Sequence, residues 1–161
     1  MDLMSSDSPA RNGNQPRRHD SRPRQVQETF DAAATETVQR ARRLLHVWLD
    51  SHHLDSLRTD ILLAVGELVT NAVVHGKAPI RLVMTHRPYR IRIEVHDAGG
   101  GHPAIRPIQR TGPDAGGWGL HMVDQLVDTW GTHTSHSTTT VWIEQPIIPT
   151  DLSILGPRER D

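Results

Sequence analysis

Glu67 and Asn71 stand four residues apart in the run Glu67-Leu-Val-Thr-Asn71-Ala-Val-Val-His75-Gly76, and in an α-helix that spacing stacks two side chains on one face. A carboxylate beside an amide oxygen offers hard oxygen ligands, suited to a hard cation or to a water held near one. The same pair would serve equally as a polar face bonded to solvent. A second group surrounds Asp97, where Ile91, Ile93 and Val95 alternate with Arg92, Glu94 and His96. That is the period of a half-buried strand, and Asp97 falls on the apolar parity, so its carboxylate faces the core. A buried carboxylate without a donor is costly. An adenine amino group would supply that donor, and the glycines that follow, Gly99, Gly100 and Gly101, let the backbone approach a flat ligand where a Cβ would clash. An Asp-Gly turn that ends a strand is the plain alternative. The third group, Gly116-Gly117-Trp118-Gly119-Leu120, sits where a loop enters a helix. Free N–H groups and the helix dipole attract anions there, phosphates most naturally, although glycine-rich helix starts have other uses.

These groups need elements to hold them. Val38, Ala41, Leu45, Trp48 and Leu49 recur at three and four, which predicts a helix from Thr35 that ends near His52 and His53. A second helix is expected over residues 55–75, stopped by Gly76, with Ile61, Leu62, Val65, Leu68, Val69 and Ala72 on its apolar face and Glu67 and Asn71 away from it. Pro79 opens an extended stretch at 80–85, and Arg87-Pro88-Tyr89 turns it into the alternating segment, a hairpin. Residues 26–33 form a weak strand candidate. A long loop spans 99–117, a third helix runs over 120–127, and strands at 130–134 and 139–144 close a single α/β domain.

The 161 residues suit one domain of residues 25–147 between two tails. Residues 1–24 are too polar to offset their ordering entropy and read as disordered. Residues 148–161 read as a flexible tail, with Leu152, Ile154 and Leu155 available to dock on a partner as the alternative. A formal net charge of -1 provides no field for a polyanion, so nucleic acid is not expected as a partner. The absence of cysteine excludes disulfides and thiolate metal sites. No apolar run reaches spanning length and residues 1–10 lack the core of a signal peptide, so the expectation is a cytoplasmic chain without a membrane partner. The 11 histidines are scattered, with no His-x-x-x-His pair on a helix, and read as surface residues. His75 either lines the edge of the Glu67/Asn71 site or interacts with the helix terminus.

In this order, Glu67-x-x-x-Asn71 on a helix, Asp97-Ala-Gly99-Gly-Gly101 after a hairpin, a long loop, then Gly117-Trp-Gly119-Leu120 and Thr140-Val141-Trp142, the chain resembles the GHKL ATP-binding superfamily of gyrase, heat-shock chaperones, histidine kinases and MutL. Within it, residues 30–145 look most like the anti-sigma-factor serine kinases of bacteria. The resemblance implies an α+β sandwich in which a mixed, mainly antiparallel sheet packs on one layer of helices, with ATP and Mg²⁺ as ligands. It implies that Glu67 polarises the attacking hydroxyl or water, that Asn71 coordinates Mg²⁺, and that Asp97 accepts from the adenine amino group. Gly99 and Gly101 would shape the base pocket, Gly117 and Gly119 would line the phosphates, Leu120 would belong to the nucleotide-binding set, and Thr140 would lie near the adenine. Residues 102–115 correspond to the nucleotide lid, where Arg106 and Arg110 either touch phosphate or stay exposed. Trp118 stands where many relatives carry a small or basic residue, which leaves open any phosphate contact from its side chain. The implied partners are a sigma factor and a STAS-type anti-anti-sigma protein, with a homodimer left open. The implied activity is serine/threonine phosphorylation of that antagonist. An ATP-binding partner-switching module without significant kinase activity is the alternative. A histidine kinase is not expected, because the chain has no room for a dimerisation helix pair, and neither is a topoisomerase or MutL, which would need a transducer domain.

Overall fold

Alternating apolar residues make the central strand. Ile91, Ile93 and Val95 are buried along β3 (Arg90–Asp97), while Arg92, Glu94 and His96 stay half-exposed on its other face. The computed structural model describes residues 24–31, 34–99 and 118–148, so the expectations for the two tails and for the lid fall on residues outside those described. Strand β1 (Arg24–Phe30) begins one residue inside the stretch expected as tail. It is followed by α1 (Thr35–Ser51), α2 (Arg58–His75), β2 (Ile80–Arg87), β3, α3 (Trp118–Leu126), β4 (Thr129–Thr134) and β5 (Thr139–Pro146). The sheet order is β1-β2-β3-β5-β4, and all four pairings among the described residues are antiparallel. The β2–β3 hairpin turns through Pro88 and Tyr89, which sets Arg87 opposite Arg90 and carries the register up to His96 opposite Arg81.

The helices cover one face of this sheet. α2 packs on β3 and against both α1 and α3. Its buried residues, Ile61, Ala64, Val65, Leu68, Val69 and Ala72, recur at three and four and so make one stripe. That stripe meets Leu45 and Leu49 of α1, Val123 of α3, and the inward set Leu82, Met84, Ile93 and Ile143 of the strands in a single core. Helical hydrogen bonding of the α type starts at Arg58 rather than at residue 55, because Asp55–Leu57 form a 3-10 turn. The Arg58 guanidinium ties Asp55 of that turn to Asp50 at the end of α1. No helix of the described residues is long and apolar enough to cross a membrane. Ile93→Ala, at the centre of the core, is expected to destabilise the fold by about 2–5 kcal/mol, the range for removing a large aliphatic side chain, read from the shift of the urea midpoint at constant slope.

The opposite face of the sheet carries a polar network instead of helices. Arg92 bonds Glu94 and Glu144, Arg90 bonds Glu144, and the Arg92 guanidinium stacks over Trp142 at 4.1 Å. Burial alone would raise the Glu94 carboxyl, but the hydrogen bond and charge of Arg92, with His96 beside it, hold it below the usual carboxylate range. Burial, followed by the charge of Arg81, pushes the His96 imidazole below its ordinary value. Trp142 packs against β4, where a Cβ on Gly131 would come within 2.6 Å of the indole ring.

Candidate functional site

Asp97 ends β3 with its side chain on the helix-covered face, only 8% exposed. Its Oδ1 accepts the Gly99 N–H at 2.7 Å, and the Ala98 N–H donates to the Lys77 carbonyl at 2.8 Å, which ties the end of β3 to the segment leaving α2. The carboxylate occupies a notch between two glycines from different elements. A Cβ on Gly76 would lie 2.6 Å from Asp97 Cγ, and one on Gly99 would lie 2.8 Å from Oδ1. A Cβ on Gly76 would also meet the Ala72 carbonyl oxygen at 2.6 Å, so glycine there serves the helix end as well as Asp97, while glycine at 99 leaves room for Oδ1. Thr139, opposite Asp97 in the β3–β5 register and 2% exposed, donates its hydroxyl to the Gly99 carbonyl.

Glu67 and Asn71 are both half-buried on α2, and both face the first turn of α3. A Cβ on Gly119 would stand 2.8 Å from Glu67 Oε2, 3.5 Å from Asn71 Nδ2 and 3.7 Å from its Oδ1. Glycine at 119 therefore lets the helix start come down onto the carboxylate and the amide. The oxygens of Glu67 and Asn71 are hard donors of the kind Mg²⁺ takes when phosphates and waters complete its shell, so the pair fits that ion. Among the described residues no group of three or more His, Cys, Asp or Glu side chains is placed to hold a metal ion.

The structure thus joins Glu67, Asn71 and Gly119 in one group, and Asp97 and Gly99 in another. α2 connects the two groups: Asn71 lies one turn before His75, and Gly76, next along, touches Asp97. Gly101 and Gly117, with the lid residues Arg106 and Arg110, lie outside the described residues. Leu120 turns its side chain into the core with Val123, which leaves only its backbone for a ligand. Thr140 is a correction. It pairs with His96 on the outer face of the sheet, its hydroxyl 2.8 Å from His96 Nδ1, so the sheet separates it from Asp97. Thr139 holds the inward position instead. The signal for it was present, since Thr139 shares the parity of the buried Val141 and Ile143. Gly76, read from sequence only as a helix stop, has the second role of making room for Asp97.

The fold is an α/β sandwich, with helices closing one face of an antiparallel sheet. More particularly, the histidine kinase-like ATPase domain family matches residues 31–144, and the chain belongs to that family, an ATP-binding domain of the GHKL type. None of the curated proteins matches it by sequence. Among solved structures, the RsbU and RsbW domains of Rv1364c from Mycobacterium tuberculosis superpose with a TM-score of 0.53 at 24% identity, over 74% of this chain and 32% of that one. The histidine kinase domain of the blue-light activated kinase of Erythrobacter litoralis aligns at 26% identity over 56% of this chain and 44% of its own, with a TM-score of 0.45. That of the E. coli osmosensor EnvZ aligns at 23% identity over 65% and 73%, with a TM-score of 0.42. The chain spans about a third of the length of the first of these, and that likeness concerns the fold.

Proposed function

We propose that this chain is a cytoplasmic ATP- and Mg²⁺-dependent serine/threonine protein kinase that phosphorylates a STAS-type anti-anti-sigma protein and sequesters a sigma factor. The observation that carries the reading is the placement of the Glu67 carboxylate, with Asn71 beside it, against the glycine that starts α3 in an ATP-binding fold. The resemblance of the motifs to anti-sigma-factor kinases supports the choice of partner, and so does the RsbW domain among the structures of like fold.

In this reading Asp97 accepts the adenine amino group while Gly99 and Thr139 hold the backbone of the base pocket. Mg²⁺, when bound, would neutralise phosphate charge. Asn71 would hold the ion through its amide oxygen, and the N–H groups at the start of α3 would face the phosphates. Glu67 orients the acceptor hydroxyl and takes its proton as the oxygen bonds to the γ-phosphorus, and the bond to the β–γ bridging oxygen breaks to leave ADP. Incubation of the purified chain with γ-labelled ATP and recombinant STAS-type domains from the same genome tests this reading. Label on a serine or threonine of one domain is the expected result, and ATP binding without label on any of them would leave only a partner-switching module.

The notch adds a prediction. Gly76→Ala is expected to displace the Asp97 carboxylate and weaken ATP by about tenfold or more, the scale of a lost hydrogen bond to a charged group. Purine riboside triphosphate, which lacks the 6-amino group, should lose far less. Calorimetry with both nucleotides checks it, and equal losses would mean that Gly76 serves the loop rather than Asp97.

A further inference from the structure

The solvent side of α2 is unusual for a surface helix. Thr59, Leu63, Gly66, Thr70 and Val74 follow one another at three and four, so they line one face about 20 Å long. None of them is charged. Leu63 is 42% and Val74 64% exposed, whereas the exposed side of α1 carries Glu36, Arg40, Arg42, Arg43 and Asp50. Gly66 is the second oddity. A glycine inside a helix costs stability relative to alanine, and a Cβ here would meet nothing within 4 Å, so nothing in the described fold requires its absence. The Thr70 hydroxyl is turned back onto the Gly66 carbonyl, donating to it at 2.8 Å.

We infer that this face of α2 is the docking strip for the acceptor segment of the protein substrate, a stretch of low charge with apolar residues around its serine or threonine. The position of Glu67 singles out this occupant. Glu67 stands four residues after Leu63 and three before Thr70, so it borders the strip, and a segment laid along Leu63, Thr70 and Val74 passes the carboxylate that takes the hydroxyl proton. At Gly66 its backbone can approach the helix closely. Met122, one turn beyond the glycine that meets Glu67, is 38% exposed and adds apolar surface on the α3 side. A charged acceptor segment would lose hydration on this strip with no countercharge to meet it, so the face also discriminates between acceptors.

The inference rests on the kinase reading above, and the experiment separates the two. The full chain is compared with Leu63→Glu/Val74→Glu and with Gly66→Gln, using as probe the STAS-type domain that the wild-type chain labels. The expected result is a labelling efficiency (kcat/KM for the domain) at least tenfold lower in both variants, with the ATP dissociation constant within twofold of wild type as the check on folding. Labelling as efficient as wild type in both variants overturns the docking strip and leaves the kinase reading intact. A loss of self-association on sedimentation with labelling unchanged also overturns it, by assigning the face to a second copy. If the wild-type chain labels no domain, the kinase reading fails first and the strip falls with it.

Discussion

Asp97→Asn is expected to weaken ATP about 10²-fold while the domain stays folded. Oδ1 of Asp97 is already committed to the Gly99 N–H at 2.7 Å. An asparagine that keeps that bond must point its NH₂ group where the second oxygen was. In the proposed site that group faces the adenine amino group, donor against donor, so the hydrogen bond is not merely lost but replaced by a repulsion. Hydrogen bonds to charged groups contribute about 1.5–3 kcal/mol, roughly 10- to 150-fold in affinity, and the mismatch moves the expectation toward the upper end. Calorimetry with ATP and with the 6-unsubstituted purine nucleotide separates the effects. The variant should bind the two with similar affinity, and a variant that still prefers ATP would place the base elsewhere.

Glu67→Gln carries the other large effect. The amide keeps the shape of the side chain against Gly119 but can no longer take a proton. ATP affinity should hold within a few-fold, and phosphoryl transfer should fall by about 10²-fold or more, the usual contribution of a positioned base. Single-turnover transfer of labelled phosphate measures it without confusion from product release. A rate unchanged from wild type would mean that the proton leaves by another route and that Glu67 only shapes the start of α3.

Sequence reading placed residues best where a period tied them to the core. Asp97 was placed by the same alternation that buries Ile91, Ile93 and Val95, and Glu67 and Asn71 by the helical stripe they stand away from. What the stripe could not say is that α3 closes over the pair. Packing between elements distant in sequence leaves no local period. Gly76 escaped for the same reason: a glycine after a helix is explained by the helix end alone, and only the fold brings Asp97 against it. α-Type bonding in α2 starts three residues later than expected, because Asp55–Leu57 form a 3-10 turn that leads into it. Thr140 was assigned by analogy where parity should have decided.

The neighbouring threonines of β5 have a consequence for how this domain can change. Asp97 stands opposite Thr139, and the same register sets Val95 opposite Val141 and Ile93 opposite Ile143. Slipping β5 by one residue would present Thr140 to Asp97, but it would also turn the two aliphatic side chains outward and bring Trp142 into the core. Insertions and deletions in the turn before β5 can therefore lengthen or shorten the surface without ever sampling a different threonine beside Asp97. Drift at this position is confined to point substitution, and any chain that still folds with this core keeps residue 139, whatever its side chain, opposite Asp97.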